Sequence, residues 1–256
     1  MKPKLVVDVG NSRIKWGYCA QDRVLYRSSL GPDDTSSWED QIKRWDLATG
    51  LQWAVAGVHP ERASRFMAWA KERGDQIVII QDRKRLPIKT EVIEPDSVGI
   101  DRLLNAVAAR NRVQRETSIF IIDAGSAVTV DWVDENGVFR GGAIFPGFHL
   151  MAKALHDYTA ALPLVMIGMD RSAGACPTLP GLFTESAIGA GVFWAVAGGI
   201  KAITRQLIAN ANAGRHHVIY LTGGDAKMLA TVLDPEVELW PTMTLEGIRI
   251  AAEALP

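Results

Sequence analysis

One pattern occurs twice in this chain of 256 residues, and a repeat of that length decides the architecture before any single motif can. The first copy reads Lys4-Leu5-Val6-Val7-Asp8-Val9-Gly10-Asn11-Ser12, then an alternating stretch through Trp16 to Cys19, a polar turn at Gln21-Asp22-Arg23, and a run over 24–29. The second reads Ser118-Ile119-Phe120-Ile121-Ile122-Asp123-Ala124-Gly125-Ser126, an alternating stretch through Trp132, a turn at Asp134-Glu135-Asn136-Gly137, and a run over 138–144. Each copy is an apolar strand ending in Asp-x-Gly, followed by two more strands across a tight turn. The Asn-Gly of the second turn is a hairpin signal. Two three-stranded meanders are expected.

The first meander is followed by helical patterns near 37–47 and 60–73 and by strands at 52–58 and 76–80. The second is followed by helices near 148–161 and 184–211, a strand at 217–221, a helix from about 224, a strand near 237–240 and a helix from 245. This order implies two α/β domains, residues 1–115 and 116–256, each a mixed sheet covered by helices, with a cleft between them. The irregular stretch 82–99, with Pro87 and Pro95, reads as the linker, and a helix from Asp101 carries the chain into the second half.

A hydrophobic content of 48% is enough for two moderate cores. Lysine and arginine number 28 against 29 acidic residues, so no overall positive field draws this protein to nucleic acid or to a membrane. Phosphate binding, if present, must be local. The two cysteines, Cys19 and Cys176, have neither disulfide-framework nor zinc spacing, and a reducing compartment fits them. No signal-peptide pattern opens the chain, and the apolar stretch 187–200, rich in glycine and alanine, is too short for a membrane span. A cytoplasmic protein with no transmembrane segment is expected. His149, His156, His216 and His217 form no metal-binding constellation, and the eight tryptophans are scattered as core residues are.

Asp8-Val9-Gly10-Asn11-Ser12 lies where a buried strand turns into its neighbour. Glycine lets backbone approach a phosphate, Asn11 and Ser12 offer donors, and the carboxylate can hold a cation that neutralises phosphate charge. Each of these is also an ordinary turn residue. Recurrence of the signal at Asp123-Ala124-Gly125-Ser126, at the same place in a repeated unit, favours two opposed phosphate loops. Leu221-Thr222-Gly223-Gly224-Asp225-Ala226 opens a helix whose N–H groups can face a nucleotide, although taken alone it reads first as a tight connection. Gly99-Ile100-Asp101-Arg102 starts a helix in which Leu103, Leu104, Val107 and Ala108 share a face. Asp101 can be its N-cap and is also the candidate general base. Gly141-Gly142-Ala143-Ile144-Phe145-Pro146-Gly147 reads mainly as scaffold for the pocket.

Asp8-Val9-Gly10-Asn11-Ser12, Gly99-Ile100-Asp101-Arg102, the block from Asp123 to Asp131 and that from Gly141 to Gly147, in this chain order and spacing, closely resemble type III pantothenate kinase, and Thr222-Gly223-Gly224-Asp225 and the stretch 184–191 resemble its later blocks. The resemblance implies two duplicated ribonuclease H-like domains of the actin-like ATPase superfamily, a homodimer, and phosphorylation of pantothenate to 4'-phosphopantothenate with ATP and Mg2+, the first step of coenzyme A biosynthesis. It implies that Asp8, Val9, Gly10, Asn11, Ser12, Arg13, Ile14 and Lys15 form the first nucleotide-phosphate loop, that Ser126 contacts ATP, and that Asp123 binds a monovalent cation, K+ or NH4+. It further implies that Val92, Gly99, Ile100, Asp101 and Arg102 line the substrate site, with Asp101 as proton acceptor, and that His156 and Thr184 reach a pocket across the subunit interface. Ser12 and Ser126 stand where the family has threonine, and Val92 where many members have a substrate-lining tyrosine. Two alternatives follow: a kinase of the same fold acting on another small alcohol, or a nucleotide-binding regulator without turnover.

Overall fold

The computed structural model describes residues 2–57, 59–167, 176–212 and 216–255. The chain divides into two compact units, Met1–Gln114 with Thr242–Pro256, and Arg115–Pro241. In chain order, unit 1 holds β1 (Leu5–Val9), β2 (Ile14–Ala20), β3 (Arg23–Leu30), α1 (Thr35–Arg44), β4 (Gln52–Gly57), α2 (Pro60–Glu72), β5 (Gln76–Ile79), a two-residue β6 (Lys89–Thr90) and α3 (Ile100–Arg112). Unit 2 holds β7 (Ser118–Ala124), β8 (Ala127–Val133), β9 (Val138–Pro146), α4 (Phe148–Asp157), α5 (Thr184–Asn210), β10 (His217–Thr222), α6 (Ala226–Leu229) and β11 (Val237–Leu239). The last helix, α7 (Met243–Ala254), returns to unit 1.

The expected strand over 52–58 is described to Gly57, and Val58 lies outside the described residues. The helix expected over 148–161 stops at Asp157, and that expected from 224 is only the single turn of α6. The stretch 82–99 is irregular apart from β6 and two short 3-10 turns, Arg83–Arg85 and Pro95–Ser97.

Apart from the two-residue β6, the strands of unit 1 lie in the order β3-β2-β1-β4-β5. β1 pairs antiparallel with β2 and parallel with β4, β2 pairs antiparallel with β3, and β5 runs parallel to β4. Within unit 2 the order β9-β8-β7-β10-β11 repeats this with the same directions. Each meander also carries a register shift near the far end of its middle strand, between Tyr18 and Cys19 and between Trp132 and Val133. The repeat read from the sequence is therefore a repeat of topology, and Asp8 and Asp123 stand at corresponding ends of the two central strands.

All five residues of β1 are buried, as befits a strand covered on both faces. Leu5, Val7 and Val9 pack with Trp16, Trp53, Phe66 and Trp69 beneath α1 and α2. The Trp16 and Trp53 rings meet edge-on at 5.1 Å, an arrangement that adds about 1 kcal/mol to the area they bury. The opposite face is closed by α3 and α7. Glu246 of α7 accepts the Val24 N–H at 2.7 Å and pairs with Arg249 at 2.8 Å, which fastens the helix to β3.

This corrects the expected division at 116–256. The closing helix covers the first sheet and not the second, because its buried side chains complete the layer that β1 and β4 leave open. In unit 2, α5 lies over β7, β8 and β9 with Val192, Phe193, Val196 and Ile200 buried. Among the described residues it is the one helix long and apolar enough to cross a membrane by length and composition. Its residues Ile188, Val192, Phe193, Val196, Ala197 and Ile200 belong to the core of unit 2.

Candidate active site

In unit 1 the Asp8 carboxylate sits at the end of β1, opposite Lys15 on β2, whose ammonium lies 3.4 Å away. The pair has a register origin, since the two residues face each other across the antiparallel ladder. The turn beyond it is closed by the Gly10 N–H donating to Arg13 O at 3.0 Å, and Asn11, Ser12 and Arg13 are exposed at its tip. The Asn11 carbonyl accepts from Arg62, which also pairs with Asp33 at 3.1 Å, so the turn is braced from α2. Val9 and Ile14 are fully buried core residues, which leaves only their backbone to face a ligand.

Asp101 occupies the first turn of α3. The expected capping role does not hold, because the helix begins at Ile100 with Gly99 in the cap position. The Asp101 Oδ1 instead accepts its neighbour Arg102 N–H at 2.9 Å. It lies 2.5 Å from where a Cβ on residue 99 would be, so a glycine there is what lets the carboxylate fold against the backbone. Asp101 and Arg102 are both half-buried, held yet reachable. Val92 is half-buried in the irregular stretch before Pro95.

In unit 2 the loop Gly125-Ser126 turns from β7 to β8, with the Gly125 N–H donating to Ala127 O at 3.2 Å and Ser126 exposed. Asp123 pairs in register with Thr129 on β8 and Thr222 on β10. Two neighbouring segments press on this loop. The Gly147 N–H donates to Ser126 O at 3.0 Å, and the Asp225 N–H donates to Ala124 O at 3.0 Å. Gly223 adopts φ +103°, and a Cβ there would lie 2.3 Å from Ala124 O, so both its conformation and its space demand glycine.

The Gly223-Gly224-Asp225 segment, weak as a sequence signal, is thus packed directly on the Asp123 strand end. The Asp225 carboxyl is pushed up to about 6 by burial. His156 and Thr184 stand apart from this loop in chain and element, at the exposed C-terminal end of α4 and the exposed start of α5. His156 Nδ1 is 2.9 Å from Leu162 O. Among the described residues no group of three or more His, Cys, Asp or Glu gathers as a metal cluster. Asp8 and Asp123 each stand at a strand end beside a tight turn, outside any such cluster.

Two units that repeat one strand order, each with an Asp-x-Gly turn at the same strand end, give this chain the fold seen in actin-like ATPases. Solved structures with this fold include MreB5 of Spiroplasma citri bound to ADP, with TM-score 0.53, 13% identity, 99% of this chain covered and 97% of that one. The activator of the 2-hydroxyisocaproyl-CoA dehydratase from Clostridium difficile with bound ADPNP has TM-score 0.54 at 12% identity, covering 98% of this chain and 95% of that one. Residues 4–206 match the family described as type III pantothenate kinase. Curated relatives bearing that name include one from Porphyromonas gingivalis, 39% identical over 97% of each chain, and one from Synechococcus elongatus, 30% identical over 98% of this chain and 97% of its own. This chain belongs to the type III pantothenate kinase family.

Proposed function

We propose that this chain transfers the γ-phosphoryl group of ATP to the primary hydroxyl of pantothenate, the first step of coenzyme A biosynthesis. The observation that carries the reading is the repeated Asp-x-Gly turn on two sheets that share one strand order, in a chain that aligns with named pantothenate kinases along nearly its whole length. Phosphoryl transfer asks a protein for in-line positioning and charge neutralisation more than for covalent chemistry. The turn of residues 8–15 binds the nucleotide phosphates, and Ser126 contacts ATP. Mg2+ travels with ATP and spreads the phosphate charge. Asp123 holds a monovalent cation, K+ or NH4+, for which a strand-end carboxylate beside turn carbonyls is an apt set of oxygen donors.

Asp101 takes the proton from the attacking hydroxyl. Its placement in the first turn of α3, pinned by the Arg102 N–H, supports that role. Gly99, Ile100 and Arg102 line the substrate site beside it. A homodimer is supported by exposed apolar residues next to His156 and next to Thr184 in the chain: Tyr158 is 89% exposed, Leu182 88% and Phe183 64%. A second copy covering them brings His156 and Thr184 to its neighbour's substrate pocket. A cytoplasmic location follows from the reaction, since ATP and coenzyme A synthesis are found there.

One observation favours a second reading. Val92 stands where a tyrosine hydroxyl is expected, so a kinase for a different small alcohol remains the competing activity. The deciding experiment measures ADP release with ATP, Mg2+ and pantothenate, in K+ against Na+, for the wild type and Asp101→Asn. Turnover that depends on pantothenate and K+ and falls about 10²- to 10⁴-fold in Asp101→Asn establishes the reaction and its base. Near-normal turnover in the folded variant refutes the base. ATP binding without pantothenate turnover refutes the substrate: release of ADP with another alcohol then marks a changed pocket, and its absence with any alcohol marks a regulator.

A further inference from the structure

Unit 1 contains a cavity of about 520 Å³ at the C-terminal ends of its parallel strands β4 and β5, closed by the first half of α2 and the start of α3. Ligands of α/β folds collect at this end of the strands. Most of the wall is apolar, with Val55, Ala63, Met67, Ile79 and Ile100 contributing side chains. Ser64 and Gln81 add neutral polar groups, and among the described lining residues Arg83 alone carries a charge. The cavity is therefore built for a small body that is largely apolar and bears one negative charge.

Arg83 is held in a way that fits this use. Its Nε–H donates to Val98 O at 2.6 Å, which fixes the plane of the guanidinium and, among the described residues, leaves both terminal nitrogens unspent. Among the described residues no carboxylate lies within ion-pair distance of it, whereas the adjacent Lys84 pairs with Asp96 at 3.6 Å. A half-buried guanidinium with no internal anion gains most from a carboxylate supplied by a ligand, because the fork matches two carboxylate oxygens at once. The same short segment joins it to the chemistry. Val98 anchors Arg83, Gly99 lines the cavity, and the Asp101 carboxylate rests against Gly99.

We infer that Arg83 is the residue that binds the substrate's carboxylate, in the apolar cavity at the ends of β4 and β5. The inference rests on the pantothenate reading. That molecule carries its reactive hydroxyl at one end, a geminal dimethyl group next to it, and a single carboxylate at the other end. The apolar wall receives the dimethyl end, next to Asp101, and Arg83 receives the carboxylate. Arg83 is thus a specificity residue: it selects the acid over neutral alcohols of the same shape and takes no part in moving the phosphoryl group.

The test compares pantothenate with panthenol, its neutral counterpart in which the carboxylate is replaced by a hydroxymethyl group, on the full chain. Panthenol is followed as a substrate or, where its turnover is too slow, by its Ki against pantothenate. Arg83→Gln should raise the KM for pantothenate about 10- to 100-fold and leave kcat, the KM for ATP and the panthenol constants close to wild type. Arg83→Lys should fall between, because it keeps the charge and loses the fork. An unchanged KM for pantothenate in Arg83→Gln overturns the assignment and places the carboxylate elsewhere. Equal losses for pantothenate and panthenol also overturn it, since they reduce Arg83 to a support for the Val98 backbone. Failure of the wild type to phosphorylate pantothenate is a separate outcome that refutes the reaction and leaves the cavity to a different monoanion.

Discussion

Replacing Gly99 by alanine tests the placement of the base without touching the base itself. The backbone there has φ −55°, which alanine adopts freely, so strain in the chain is no part of the effect. The new methyl group would lie 2.5 Å from Asp101 Oδ1, and ordinary contact requires the oxygen to retreat by about 1 Å. Such a retreat breaks the 2.9 Å bond from the Arg102 N–H and frees the carboxylate from its fixed orientation. A displacement of about 1 Å in a positioned catalytic group costs on the order of 100-fold in rate, or about 2.7 kcal/mol of barrier. Exchanging glycine for alanine at a helix cap costs about 1 kcal/mol of stability, which lowers Tm by about 2–4 °C in a chain of this size. Steady-state ADP release and a thermal melt read both quantities. We expect kcat to fall about 100-fold while the KM for ATP holds. Full activity in Gly99→Ala would show that the reacting orientation of Asp101 differs from the folded-back one, and the argument from Gly99 would collapse.

Two further predictions concern stability. Gly247 lies inside α7, where alanine is favoured by about 1 kcal/mol on helix propensity alone, but a Cβ there would sit 2.0 Å from Leu104 O of α3. Packing should win: Gly247→Ala is expected to destabilise by about 2–3 kcal/mol, seen as a shift of the urea midpoint at constant m, and any gain in stability refutes the close α3–α7 approach. Asp225 has its carboxyl pushed up to about 6 from 3.8 by burial, so the native state holds the proton more tightly than the unfolded chain does. The resulting penalty is absent below about pH 4, grows through pH 6 and is complete above it. Asp225→Asn should therefore stabilise by about 1–2 kcal/mol at pH 7.5 and by almost nothing at pH 4, and a gain of equal size at both pH values would exclude burial as the cause.

The repeat was readable because it rests on local chemistry: a buried strand, a carboxylate, a glycine, and a polar turn at a fixed distance beyond. Those features need no tertiary partner to be seen. The destination of α7 was not readable, since a helical period gives the width of an apolar face and is silent about which sheet receives it. Gly223 illustrates the same limit at the site. Its sequence announces a turn, but the contact with Ala124 depends on β10 lying parallel to β7, a pairing across more than ninety residues of chain. Arg83 was hidden for another reason. It is one of three consecutive basic residues in an irregular stretch, and only the bond to Val98 O singles out the one that turns inward. The surroundings of Asp101 were misread, because Gly99 holds the cap position that aspartate so often takes.

The return of residues 242–255 to unit 1 bears on the order in which a growing chain can fold. Unit 2 is continuous, so everything it needs has been synthesised once Pro241 has emerged. Unit 1 starts earlier yet lacks part of one wall until α7 arrives, and until then Gly17 lacks the cover that Leu245 gives it on that side of the sheet. Translation would thus close the later unit first and the earlier unit last, the reverse of the usual N-terminal-first sequence. The helix that begins at Met243 also contacts α3, which carries Asp101, so the proposed base gains its final support only once that helix has packed.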